Sequence, residues 1–241
     1  MTYSFNILSW CALAPGLTTP EQWLAWSTGP NTDWSEPLPK AQRIPMMTAR
    51  RMSIPSQLSV EVGLTLLEEQ PDAAVFISRH GELERTYKII ADLCQHQDIS
   101  PTDFAMSVHN TASGLLTISG KAPLPISSIA AGADGFQQGM LEVQGMLANG
   151  AQKVLLVDFD GAIPQAYHAQ ICHQIPAYAV GLLIAPGNQL QCHQLSKTPC
   201  LPLSDTESSE LPQSIDFMRH WLAKAPQFTL KGTRSDWQWR Q

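Results

Sequence analysis

The residues able to do chemistry in this chain are few, and most stand at the ends of apolar runs. Asp158 and Asp160 close the run VLLVDFD, a place where ligands often sit in open α/β sheets. Two carboxylates spaced by two on a strand point the same way, and nothing in the sequence gives them an acid/base task. Arg79 and His80 follow the run AAVFIS and read as a structural loop. His109 and Asn110 lie among small residues in SVHNTASG, where a histidine could serve as a base if a nucleophile stood nearby. His168 and His173 are five apart, which misses the i, i+4 spacing that puts two metal ligands on one helix face, so no metal site is expected. Five cysteines (Cys11, Cys94, Cys172, Cys192, Cys200) are scattered with no CxxC pair. That pattern predicts neither a zinc site nor a disulfide framework, but the reduced thiols of a cytoplasmic protein. Dinucleotide, phosphate-loop, zinc-protease and serine-elbow motifs are absent from the sequence.

The stretch from Pro125 to Asp160 has the order needed to present a reactive group. Ile126 to Ile129 reads as a short strand, Ala130, Ala131 and Gly132 as a tight turn, and Asp134 to Asn149 as an amphipathic helix ending at Gly150. The buried strand Val154 to Phe159 follows. No cysteine, serine or threonine stands in the turn itself.

The remaining elements supply a frame for this stretch. Tyr3 to Ala14 reads as a first strand, and Thr19-Pro20-Glu21 as a helix entry. Arg50 to Glu69 carries Leu58, Val62, Leu66 and Leu67 at helical spacing, with Pro55 near its start. Ala73 to Ser78 is a continuous apolar strand, and Glu84 to His96 a helix with Ile89, Ile90 and Leu93 turned inward. Ser107 to Ser119 suits a closely packed helix. Ala179 to Ile184 and Gln189 to Leu195 are expected to pair as a hairpin across Pro186-Gly187-Asn188. Pro199 to Pro212 predicts a mobile loop, Ser214 to Lys224 a helix, and Trp237 and Trp239 share one face of a terminal strand as packing aromatics. Alternating strands and helices predict an α/β protein with one mixed, mostly parallel sheet covered by helices.

Composition narrows the function. Hydrophobic content of 44% in 241 residues provides for a sizeable core, and a charged content of 15% leaves room for a surface that faces a partner protein. A net charge of -6 argues against nucleic-acid binding, and the one basic cluster, Arg43, Arg50 and Arg51, reads as a solvated face. No run approaches the roughly 18 apolar residues of a membrane span, and the N-terminus lacks the basic region of a signal peptide.

Taken together, AAVFISRHGELERT, SVHNTASGLLTIS and APLPISSIAAGADGFQQGMLEVQGMLANGAQKVLLVDFDG resemble the N-terminal half of a β-ketoacyl synthase of the thiolase-like fold. More narrowly they resemble the short, chain-length-factor-like partners of the aryl polyene type. The resemblance covers residues 1–190, read as a ketosynthase-like domain, with 191–241 as a C-terminal extension docking on it. In the family the elbow carries a cysteine at the helix N-terminus, where the helix dipole and backbone N–H groups lower the thiol pKa and stabilise the oxyanion. Laid on this chain, Ala130 takes that place, and a one-residue slip gives Ala131; neither can attack a thioester. Working synthases also draw two histidines from a second half that this chain is too short to contain, and His193 and His220 lie in a hairpin and a tail helix.

The resemblance therefore implies a subunit without catalysis of its own, without cofactor or metal, paired with a full-length β-ketoacyl synthase in aryl polyene or polyunsaturated fatty-acid-type biosynthesis. Its interface or acyl-tunnel wall would be Val108, His109, Asn110, Ala112, Ser128, Ile129, Ala130 and Ala131. Acyl carrier protein would be met indirectly, since the acidic balance of this chain assigns the basic docking patch to the synthase. The alternative from the residues alone is a small acyltransferase or thioester hydrolase using Ser127, Ser128 or Cys172.

Overall fold

The computed structural model describes residues 2–30, 34–171, 176–196 and 211–241. Cys172, His173 and Cys200 lie outside the described residues, as does all but the end of the loop expected from Pro199 to Pro212. The described residues build one eight-stranded sheet covered by helices on both faces, in the order β3-β2-β4-β5-β1-β6-β8-β7. The strands are β1 (Thr2–Leu13), β2 (Ala73–Ile77), β3 (Ile126–Ile129), β4 (Val154–Asp160), β5 (Tyr178–Pro186), β6 (Leu190–Ser196), β7 (Gln227–Leu230) and β8 (Ser235–Arg240).

Its mixed character agrees with the sequence, but parallel pairs are the minority. Only β2–β3 and β2–β4 are parallel, and the other five pairings are antiparallel. The reason is the connections. Helices join β2 to β3 and β3 to β4, which allows parallel crossovers. Between β4 and β5 the described residues hold only a three-residue 3-10 turn, Gln165–Tyr167, so the chain returns antiparallel.

The expected hairpin of β5 with β6 does not form. β1 lies between them, pairing with β5 through Phe5 to Leu13 and with β6 through Thr2 to Phe5. Asn6 seals the arrangement: its Oδ1 accepts the N–H groups of Asn188 at 3.0 Å and Gln189 at 3.1 Å. A twelve-residue strand can hold two partners in succession, whereas the turn signal in the sequence reports only that the chain reverses.

The helices are α1 (Pro20–Thr28), α2 (Met46–Ala49), α3 (Ile54–Leu67), α4 (Leu83–Cys94), α5 (Pro101–Ala105), α6 (Thr111–Gly120), α7 (Gly135–Ala148) and α8 (Gln213–Leu222). Thr19 and Gln22 close a capping box at α1. α3 begins at Ile54, later than the expected Arg50, because the Ser53 hydroxyl accepts the Ser56 N–H and Pro55 fills the first turn. α6 begins at Thr111, so Val108, His109 and Asn110 form the turn before it.

One core cluster joins α1, α7 and α8 to the sheet through Trp23, Phe136, Phe217 and Trp239. The other joins α3 and α6 through Val60, Val62, Ala112 and Leu116. α4 departs from expectation. Ile89 is buried, but Ile90 is 45% and Leu93 53% exposed, so the apolar face of this helix is turned largely to the outside.

Residues after 190 continue the same sheet. β6, β8 and β7 extend it, and Trp239 sits in the first core cluster between Phe5 and Phe217. Trp237 and Trp239 are both buried on one face, the packing role expected of them.

Candidate functional site

The carboxyl ends of β3, β2 and β4 lie side by side, and three loops leave the sheet there. From β3 the chain passes Ala130 and Ala131, turns at Gly132 with φ +60°, and runs through a 3-10 turn (Gly132–Asp134) into α7. The left-handed φ favours glycine, and a side chain there would meet open space. The helical segment thus begins two residues beyond Ala130. Whichever of the three small residues is compared with a nucleophile, none carries one. Farther along α7, Gly139 lets the helix lie directly on β2, because a Cβ there would collide with Ile77.

The N-terminus of α7 is occupied by the chain itself. The Gln137 N–H donates to Gln213 Oε1 at 3.4 Å, and Gln213 Nε2 donates to the Lys231 carbonyl at 2.8 Å. Asp134 places its carboxylate at the same end, accepting the Thr233 N–H at 2.7 Å and the Thr233 hydroxyl. In a working elbow such N–H groups face the developing oxyanion. Here a carboxamide from α8 takes the Gln137 donor.

From β2 the loop Ser78-Arg79-His80-Gly81 folds over Asp160. The Asp160 carboxylate accepts the Ser78 hydroxyl at 2.7 Å, the Arg79 N–H at 3.0 Å and the His80 N–H at 2.9 Å. His109 Nε2 lies 3.0 Å from the Ser78 carbonyl, which fastens the turn before α6 to this loop. Burial pushes the Asp160 carboxyl up and the His80 imidazole down, favouring the neutral form of each. Glu82, buried beside them, accepts the Ser53 hydroxyl at 2.8 Å and the Ser56 hydroxyl at 2.5 Å. Asp160 and His109 thus shape the loop: Asp160 takes the Ser78 hydroxyl, whose oxygen accepts the Gly81 N–H, and His109 meets the Ser78 backbone carbonyl.

The serines of the alternative reading have other uses. Ser127 donates to Glu142 Oε1 at 2.8 Å, and Ser128 shares a 3.0 Å hydrogen bond with Ser113 on α6. His168 Nε2 contacts the Ile163 carbonyl, His193 Nδ1 the Thr2 hydroxyl, and His220 stacks on Phe228. Among the described residues no group of three His, Cys, Asp or Glu could hold a metal ion.

Beside the elbow the sheet ends. Among the described residues β3 pairs only with β2, and the N–H groups of Ala74 in β2 and of Ser78 just after it donate to the Pro125 and Ile129 carbonyls. Strand alternation then turns the N–H and C=O groups of Ile126 and Ser128 outward, an open edge. Of the residues expected at an interface or wall, Val108 (51% exposed), Asn110, Ser128 and Ala130 lie on this surface. His109, Ile129 and Ala131 are partly covered. Ala112 is 1% exposed and belongs to the core under α6, so it touches nothing outside this chain. Ile118, 74% exposed on α6, and Phe104 on α5 are exposed apolar groups that the sequence reading passed over. For Ile118 the signal was an apolar residue away from the buried stripe of α6; α5 buries none of its residues, so Phe104 had no such stripe to be read against.

A mixed sheet between helices, with a strand–turn–helix elbow at its carboxyl edge, defines the thiolase-like ketosynthase fold. The model of the β-ketoacyl synthase N-terminal domain matches residues 23–240, and the chain belongs to that family. It is 45% identical, over 99% of its own length and 100% of the other chain, to a chain of the ketosynthase (ApeO) in complex with its chain length factor (ApeC) from Xenorhabdus doucetiae, with a TM-score of 0.92. The ishigamide ketosynthase/chain length factor is 14% identical over 80% of this chain and 68% of that one, at a TM-score of 0.64. A β-ketoacyl synthase from Burkholderia phymatum STM815 is 11% identical over 92% and 71%, at 0.59. These two share the fold alone. No curated protein matches the chain. Among the described residues no helix is long and apolar enough to cross a membrane.

Proposed function

We propose that this chain is a non-catalytic, chain-length-factor-like subunit that pairs with a full-length β-ketoacyl synthase and forms part of its acyl-tunnel wall. The observation that carries this reading is the elbow. It keeps the strand, turn and helix of a synthase, lacks a nucleophile, and has the Gln137 N–H in its helix's first turn taken by Gln213 of its own chain. An open edge strand and exposed apolar groups stand beside it. The coextensive relative, 45% identical, comes from a complex of a ketosynthase with its chain length factor, which supports the same pairing here.

The function is steric and needs no thiol. Val108, Asn110, Ser128, Ala130 and Ala131 meet the partner or the growing acyl chain; His109 and Ile129 support them, and Ala112 sets the depth of α6. The products are of the aryl polyene or polyunsaturated fatty-acid type, made in the cytoplasm. Carrier protein is engaged through the synthase.

Co-expression with the synthase tests the reading. The two should purify as a one-to-one complex. Ser128→Pro removes an outward N–H from β3 and should weaken association at least about tenfold, roughly one to two hydrogen bonds' worth, while the chain stays folded. Ala130→Trp should shorten the products. A synthase whose product length ignores Ala130→Trp would reduce the role to stabilisation of the partner.

A further inference from the structure

Beneath the elbow, polar groups from four elements, β4, β5, α7 and α8, lie buried in the core, and among the described residues no cation is paired with Asp158. Asp158, near the end of β4, faces the same side as Val154 and Leu156 and is buried. The Tyr178 hydroxyl, at the start of β5, lies 3.5 Å from Asp158 Oδ2. Ser214, in the first turn of α8, is fully buried near both without closing a well-formed hydrogen bond. Gln137, in the first turn of α7, is buried with neither end of its side-chain amide hydrogen-bonded. Such spare polar groups stabilise water once it gains entry.

The charges around Asp158 do not favour its ionised form. Asp160, on the same strand, opposes the ionisation of Asp158 to the extent that it is itself ionised. The backbone N–H groups of Arg79 and His80, in the loop after β2, donate to Asp160 rather than to Asp158. The first turns of α7 and α8 face it with the neutral Gln137, Gln213 and Ser214. Asp216 of α8 lies 3.5 Å from His220, and Asp134 before α7 is tied to Thr233. Burial, helped by Asp160, pushes the Asp158 carboxyl up to about 7.

We propose that Asp158, Tyr178 and Ser214 form a proton-operated latch that holds the first turn of α8, and through Gln213 the elbow, against the sheet. With the carboxyl protonated the first turn stays dry and α8 stays seated. Ionisation draws water between α8 and β4 and loosens Gln213 from the Gln137 N–H, from Asp134 and from the Lys231 carbonyl. The surface offered to a partner is then softer at higher pH.

The sign follows from linkage. In the latched state the carboxyl keeps its proton to near neutrality; in the open state it titrates in the ordinary range near 4. Opening releases a proton, so it becomes easier as pH rises between those limits and levels off above the upper one.

Amide hydrogen exchange of the full chain at about pH 6, 7 and 8, corrected for the intrinsic pH dependence of exchange, tests this. Exchange in residues 213–222 and 130–137 should rise about fivefold from pH 6 to 7 and less than about twofold from 7 to 8. Asp158→Asn should keep α8 protected at all three. If that variant does not fold, Tyr178→Phe serves: loss of a donor to the carboxylate should move the rise to higher pH. Equal protection of the native chain at all three values would overturn the latch, as would a pH dependence kept by Asp158→Asn or left in place by Tyr178→Phe.

Discussion

At Ala130, Ala131 and Gly132 the absence of a nucleophile is a matter of residue type, and it was legible without coordinates. The turn's geometry was not. How many residues pass between the end of β3 and the first helical turn depends on how α7 seats on β2, and Gly139 against Ile77 decides that. The sequence placed the comparison at Ala130, whereas the helical segment starts at Gly132. The three described thiols support the same conclusion. Burial pushes Cys11 and Cys192 up, away from the thiolate form, while Cys94 is exposed. Intact-mass measurement after incubation with an acyl thioester should therefore show no acyl adduct, and brief alkylation of the native chain should mark Cys94 ahead of Cys11 and Cys192. A stable acyl group on Ser127, Ser128 or Cys172 would favour the acyltransferase or hydrolase instead.

Strands with apolar residues on both faces, β2 and β4, could be read from the sequence because burial on two sides leaves no polar alternation. Pairing partners could not. Whether β6 lies beside β5 or beside β1 depends on which strand has length to spare, and β1 spans both. The amphipathic pattern of α4 misled in a related way. Periodicity shows that a helix has an apolar face, but not whether that face meets its own sheet or another protein. The tail is part of the sheet's energetics as well as its geometry. Trp239→Ala should cost about 3–5 kcal/mol in urea unfolding, as for other fully buried tryptophans. Gly139→Val should cost at least about 1–3 kcal/mol, because α7 must then lift off Ile77. A smaller loss in the first case would mean that β8 docks loosely.

At the scale of the whole molecule, the proposed partnered subunit accounts for several features together. Among the described residues the sheet ends in an open strand at β3, the turn before α6 exposes Val108, α5 and α6 expose Phe104 and Ile118, and the Gln137 N–H at the start of α7 is taken from within by Gln213. Resemblance of the ordered motifs to a synthase half made the fold legible, since the order of SRHGE, SVHN and the small-residue turn survives in the sequence. It did not reveal that Ala112 is core, because a small residue suits both a helix packed within its own chain and one packed against another. The most direct measurement is the mass of the species formed when this chain is co-expressed with a full-length β-ketoacyl synthase, by light scattering on the eluting peak. A single complex holding the two chains one to one, dissociated by Ser128→Pro, is the expected result. A lone monomer of this chain, with the synthase's products unchanged by its presence, would contradict the account.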